Sequence, residues 1–268
     1  MSAYLSRINY YPVKSLDGQT VEQTRLLVTG AVEHDRQFAM FDSDGIVVDG
    51  KRAAAVHRIE SHFDPAERSL TLRRRPDGEA STFHLDRDRS ELERWLGEHF
   101  GLAIQVAEND HGGFPDDTVA AGPTVISVAT METVAGWYPG LTLDETRARF
   151  RPSLEIAGVP AFFEDQWYAG DDDVVEFAIG PAVFAGMHSC PRCVVPSRWS
   201  QTGSVGPDMS FAKTFSRRRE ETLPSWADRG LFDHYFRLAI NTRLVSGAGT
   251  TLRVGDELRV IGRRAAAV

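Results

Sequence analysis

Cys190 and Cys193 are the only cysteines in a chain of 268 residues, and they stand three positions apart in Cys190-Pro191-Arg192-Cys193. So close a pair cannot staple distant parts of a fold, so its use is local and chemical. Four kinds of chemistry compete. A redox dithiol should follow an early strand and open a helix, whereas this motif comes late and runs into Val194, Val195 and the helix-breaking Pro196. Zinc wants four ligands; His188, Cys190 and Cys193 supply three, and no second cysteine pair exists. A soft transition metal held by thiolate is a third reading. Thiols that merely fill the core as small hydrophobes need no metal at all.

The bulk of the chain sets limits on what surrounds this motif. Its length allows one large or two small domains and a substantial core. Hydrophobic residues at 42% and charged residues at 25% are ordinary for a soluble globular protein. The formal net charge of -8 argues against nucleic acid as a partner, because a phosphate backbone rewards an excess of Lys and Arg. No apolar window approaches bilayer-spanning length, and Met1 to Arg7 lacks the charged start and apolar run of a signal peptide. These features predict a cytoplasmic, reduced protein with no membrane partner and with both thiols free.

The elements that must position the motif are mostly strands. Residues 4–10, 21–28, 38–41, 46–48, 69–74 and 81–85 carry β-favouring residues between Gly, Asp and Pro turns, which suggests a barrel. Ser90 begins a helix with Leu92, Trp95, Leu96 and Phe100 on one face and Gly101 as its stop. Asn109 to Asp117 is polar, glycine-bearing and closed by proline, and reads as a linker or lid dividing segment 1–108 from segment 118–268. Beyond it come a strand over 124–127, a helix over 130–137 opened by a hydroxyl cap, and a helix from Asp144 that stops at Pro152. Strands resume at Leu154 and over 174–179, 183–187, 236–244 and 251–260. The run Asp171-Asp172-Asp173 reads as a solvated turn.

Phe150-Arg151-Pro152-Ser153-Leu154-Glu155-Ile156, Glu164-Asp165-Gln166-Trp167, Ile179-Gly180-Pro181 and Cys190-Pro191-Arg192-Cys193 together resemble the signature of the MOSC domain. That domain is the molybdenum-cofactor-binding module of the amidoxime-reducing-component family and of the C-terminal part of molybdenum cofactor sulfurases. The resemblance continues in Leu231 to Phe236 and in Leu252 to Leu258. Upstream, Tyr11-Pro12-Val13-Lys14-Ser15-Leu16 and His34-Asp35-Arg36-Gln37-Phe38 resemble the β-barrel domain that precedes MOSC. The implied fold is mainly β with a few helices, a β-barrel MOSC core plus an N-terminal β-barrel domain.

The resemblance also implies a chemistry. A pterin dithiolene would hold molybdenum, and the thiolate of Cys193 would complete the sulfur ligation, with the charge of Arg192 beside it. Lys14, Ser15, Arg36, Arg151 and Ser153, with hydroxyls of Ser127 and Thr130 at a helix mouth, would bind the cofactor's phosphate and pterin. Asp165 would orient the site or relay protons. Two departures are visible: Ser153 replaces the usual asparagine, and Pro196 to Gly203 replaces the usual loop after the ligand. The implied reaction is two-electron reduction of small N-hydroxylated substrates. With no dinucleotide fingerprint and no further cysteines for an iron–sulfur cluster, the electrons would come from a separate ferredoxin or flavoprotein reductase. The alternative is a carrier of the cofactor, or of persulfide sulfur, without turnover of its own.

Overall fold

The computed structural model describes residues 2–170, 172–205 and 210–265. In chain order the strands of the first segment are β1 (Tyr4–Tyr10), β2 (Gln19–Val21), β3 (Gln23–Arg25), β4 (Phe38–Phe41), β5 (Ile59–Asp64), β6 (Ser69–Arg74) and β7 (Ala80–His84). Helix α1 (Arg89–Phe100) and β8 (Gln105–Glu108) complete it. The second segment contains β9 (Val125–Ser127), α2 (Val128–Ala135), α3 (Leu143–Phe150), β10 (Leu154–Ala157), β11 (Asp173–Ile179), β12 (Ala182–Pro191), α4 (Phe211–Glu221), β13 (Arg237–Ser246), β14 (Thr251–Arg253) and β15 (Leu258–Ala265).

The chain is mainly β, as its sequence predicts. Eight strands form one sheet in the order β15-β11-β12-β13-β9-β10-β1-β2. All its pairings are antiparallel except β9 with β10. Main-chain bonds from Leu5 N to Asp256 O (2.8 Å) and from Leu258 N to Ala3 O (2.9 Å) return the start of β1 to the start of β15, closing the sheet into a barrel. The closing strand, β1, belongs to the first segment. In the same way β3 pairs with β14. The two segments therefore interlock, and a continuous apolar core runs from Leu5 and Ile8 through Phe38, Phe63 and Leu92 to Trp167, Phe177 and Phe184.

Several local expectations change for one reason, which is that strands switch partners. Residues 21–28 do not form one strand; the chain breaks at Glu22 because β2 pairs with β1 while β3 turns to β14. Residues 251–260 divide at a turn containing Gly255, whose φ is +97°, into β14 and β15. Residues 46–48 make only one bridge, Phe41 with Val47, and β5 joins β6 and β7 in a three-stranded sheet. Gly101 ends α1 in the left-handed conformation (φ +71°), which a side chain would disfavour. Asp171 lies outside the described residues.

Trp167 is fully buried and stacks on Phe177 with ring centroids 3.9 Å apart. It also covers β12 at Gly186. A Cβ on Gly186 would collide with the Trp167 carbonyl oxygen and stand 2.8 Å from its Cβ. Because the obstructing atoms are backbone and Cβ, neither can rotate aside. Gly186→Ala is expected to lower stability by about 1–3 kcal/mol, the usual cost of overpacking, read as a lower urea midpoint at unchanged slope.

Candidate functional site

Both cysteines face one cavity of ≈ 370 Å³, built by elements of both segments. Its first wall is the stretch after β1. Lys14 N donates to Phe38 O (2.8 Å) and Phe38 N to Pro12 O (2.9 Å), fixing Tyr11, Lys14 and Ser15 beside β4. Arg36 N donates to Tyr11 O at 2.7 Å, and Tyr11 N donates to the Asp35 carboxylate at 2.8 Å. Ser15 Oγ accepts from Gly50 N at 3.2 Å, which draws the Asp49-Gly50-Lys51 turn to the rim. The second wall is the C-terminus of α3. Thr142 caps its start, and Arg151 ends it with φ +51°.

The linker supplies a third wall. Gly113 (φ +68°) lies so close to the carbonyls of Asp35 and Arg36 that a Cβ would clash with both. Phe114 N donates to Arg36 O (2.9 Å), and Lys14 Nζ donates to Phe114 O (2.8 Å). Asp116 and Asp117 are thereby delivered to the cavity. The fourth wall is the end of β12 with Cys190, Arg192 and Cys193, followed by a 3-10 turn over Val195–Ser197.

Electrostatics make this cavity cationic within an acidic chain. Lys14, Arg36, Lys51, Arg75, Arg149, Arg151 and Arg192 line it, against Asp17, Asp49, Asp116 and Asp117. Lys14 and Lys51 both approach Asp116 Oδ1, at 3.0 and 3.2 Å. Burial opposes ionisation of Asp116, but Lys14 and then Lys51 and Arg36 outweigh it and bring its pKa down to about 2. Lys51 feels Cys193 as well as Asp116; burial works against its charge, and these neighbours raise its pKa nonetheless.

Arg151 is the most exceptional member of the site. Its guanidinium lies 4.0 Å from the Tyr11 ring centroid, with Arg36 at 5.6 Å from the same ring. Arg36 pairs with Asp35. The Arg151 guanidinium, among the described residues, has no hydrogen-bonded or ion-paired acceptor, although its main-chain N–H donates to Arg147 O at 2.7 Å. Burial, together with the like charge of Arg36, pushes its pKa down. Burial also pushes Tyr11 up to about 12, so it stays a neutral phenol that donates to Pro152 O at 3.2 Å. Ser15, Arg36 and Arg151 all have positive φ (73°, 51° and 51°), a conformation that costs non-glycine residues energy and gathers at ligand sites.

Of the residues singled out in the sequence, the fold brings Lys14, Ser15, Arg36, Arg151, Ser153, Arg192 and Cys193 together here. Arg192 is present but turned away: its guanidinium donates to Leu238 O (2.6 and 3.1 Å) and Phe150 O (3.0 Å), fastening β13 to α3. Ser127, Thr130 and Asp165 are not brought to the cavity. Ser127 caps α2, accepting from Thr130 N at 3.0 Å, and Thr130 Oγ1 accepts from Phe162 N and lies 3.2 Å from Glu164. These hydroxyls are consumed inside the fold. Asp165 is buried in an ion pair with Arg219 of α4.

Tyr11, Lys51, His57, Asp116, Asp117 and Asn241 line the site without having been singled out. Tyr11 opens the stretch containing Lys14, and Asp49-Gly50-Lys51 is a legible turn, yet neither pattern discloses that both converge on Cys193. Burial pushes the pKa of the His57 imidazole down, and its Nε2 is buried without a hydrogen-bond partner among the described residues. His188 is turned to Asp117 at 2.7 Å. Among the described residues no group of three His, Cys, Asp or Glu side chains is placed to hold a metal ion by itself, and no helix is long and apolar enough to cross a membrane.

The chain matches the family model for the MOSC N-terminal beta barrel domain over residues 2–107 and that for the MOSC domain over residues 116–259. No curated protein matches it.

Proposed function

Because the chain belongs to the MOSC family, whose domains are associated with molybdenum cofactor binding, we propose that this cavity holds the molybdenum-pterin cofactor and reduces small N-hydroxylated compounds. The observation that carries this reading is Arg151. A guanidinium without an acceptor, half-enclosed beside a second guanidinium, is costly until an anion neutralises it. The phosphate of the cofactor is such an anion. Lys14, Ser15 and Arg36 line the same cavity.

The residues present fit the group in a second respect. One protein sulfur ligand suits a metal whose other sulfur ligands come with the cofactor, and of the two cysteines that face the cavity the resemblance gives this role to Cys193. When bound, the group supplies a two-electron centre able to take oxygen from a substrate. The chain's own side chains bind and orient. Lys51 and Lys14 hold Asp116 ionised at the rim, which places fixed charge of both signs beside Cys193. Ser200 Oγ and N donate to Glu145, at 2.6 and 2.9 Å, and Glu145 pairs with Arg149, so the loop after Cys193 is braced against α3. That brace keeps Gln201 at the outer edge of the cavity, where it also lines an adjoining open cleft. Electrons come from a separate ferredoxin or flavoprotein reductase.

Arg151→Ala is the direct test. Protein purified from a cofactor-making host is expected to retain its fold, to lose at least about tenfold in bound molybdenum, and to lose hydroxylamine reduction in proportion. Full metal occupancy in the variant would remove the anion-site reading. Loaded wild type that fails to reduce hydroxylamines with several donors would remove the catalytic reading.

A further inference from the structure

We propose that Asp117 and His188 form a proton-entry pair, in which a cavity-facing carboxylate is resupplied from solvent by an imidazole and protonates the oxygen leaving the substrate. The proposal rests on the reductive reading above.

Asp117 comes from the linker and lines the cavity; His188 lies on β12, and Asn241 is its register partner on β13. His188 Nε2 and Asn241 Nδ2 both reach the same carboxylate oxygen, Oδ2, at 2.7 and 3.0 Å. The other oxygen accepts from the main-chain N–H groups of Val119 and Ala120, each at 3.0 Å. The carboxylate is thus held in one orientation from three elements. On its far side the His188 side chain is 32% exposed, and its Nδ1 has only the Ser189 carbonyl, at 3.5 Å. One ring nitrogen therefore contacts the carboxylate, while the side chain that carries the other is partly exposed. The pair spans from solvent to the cavity.

Reduction of R–NH–OH to R–NH2 and water consumes two electrons and two protons. The N–O bond breaks, the electrons come from the ferredoxin- or flavoprotein-class donor, one proton ends on nitrogen and one on the departing oxygen. Asp117 alone is a poor source of the latter. Burial disfavours its ionisation, but the Ala120 N–H, Asn241 and His188 prevail and hold its pKa below the usual carboxylate range, so it rests without a proton. An imidazole that takes a proton from water at Nδ1 and passes one from Nε2 to Oδ2 meets that need, and imidazole is the side chain suited to such transfer near neutral pH. Of the other carboxylates at the rim, Asp116 is held ionised by Lys14 and Lys51, and among the described residues no imidazole pairs with it.

The test compares cofactor-loaded wild type with His188→Gln, which keeps a donor for Asp117 but cannot carry a proton, and with Asp117→Asn. Molybdenum content, KM and kcat for a hydroxylamine are measured, with and without added imidazole. The expected result is unchanged metal content and KM in His188→Gln, a kcat lower by about 10²-fold, and partial recovery on adding imidazole; Asp117→Asn shows the same fall without recovery. Wild-type kcat in His188→Gln, or a loss accompanied by metal loss and indifferent to imidazole, overturns the pair and leaves the reductase intact. A loaded wild type that turns over no hydroxylamine overturns both.

Discussion

Cys193→Ala is expected to yield a folded protein with at least about tenfold less molybdenum than wild type, when both are purified from a host that makes the cofactor and assayed by elemental mass spectrometry. On the proposed reading the cavity would still hold the pterin and phosphate through Lys14, Arg36 and Arg151, so cofactor uptake would not be abolished at once; the metal would lose its one protein ligand and become labile. Cys190→Ala is the matched control. Cys190 lines the same cavity, but its thiol reaches only the Pro191 carbonyl, at 3.7 Å, and the resemblance assigns the ligand to Cys193 alone. Equal metal loss in both variants would show a two-thiol site and overturn the single-ligand reading. Metal-free wild type from a host whose other molybdenum enzymes are loaded would favour the carrier.

Arg219→Ala is expected to destabilise the fold by about 3–5 kcal/mol without first touching the cavity. Arg219 is fully buried on α4, pairs with Asp165, and lies 4.3 Å from the Phe162 ring centroid. Removing it strands a buried carboxylate next to another, Glu164, whose pKa is pushed up to about 8 by burial and by Asp165. Restoring compensation with Asp165→Asn in the Arg219→Ala background should recover much of the loss in urea unfolding, a coupling that independent sites would not show. Glu164 adds a pH signature. Its folded pKa stands above the unfolded value near 4.5, so its contribution is whole below that pH, shrinks as pH rises through the interval, and is gone above about pH 8. Glu164→Gln should flatten this alkaline decline, and an unchanged slope would remove Glu164 as its source.

The same cluster explains why α4 is hard to see in the sequence. Phe211, Phe215 and Arg219 fall at successive i+4 positions on one helix face, and all three are buried. Periodicity reads the third as a polar interruption and finds too few apolar residues for a helix. Only when Asp165 and Phe162 are brought against it does Arg219 become part of the interior. Asp165 is the converse case. A carboxylate within a family motif reads as chemistry, yet its charge is spent on α4.

What the sequence determined by itself is the set of local commitments: the β-rich class, the stop of α1 at Gly101, the two thiols in one short motif, and the arginines, lysine and hydroxyl that line the cavity. Each depends on near neighbours or on motifs in a fixed order. The tertiary structure alone decided which of them share a cavity. Strand β1 closes the barrel of the other segment, and the linker docks through Gly113, which together carry Tyr11, Lys51, Asp116 and Asp117 to Cys193. The same packing turned Arg192 toward main-chain carbonyls and drew Ser127 and Thr130 into the cap of α2. Where a side chain's hydrogen-bonding capacity is spent depends on which backbone groups lie within about 3 Å, and long-range pairing sets that distance.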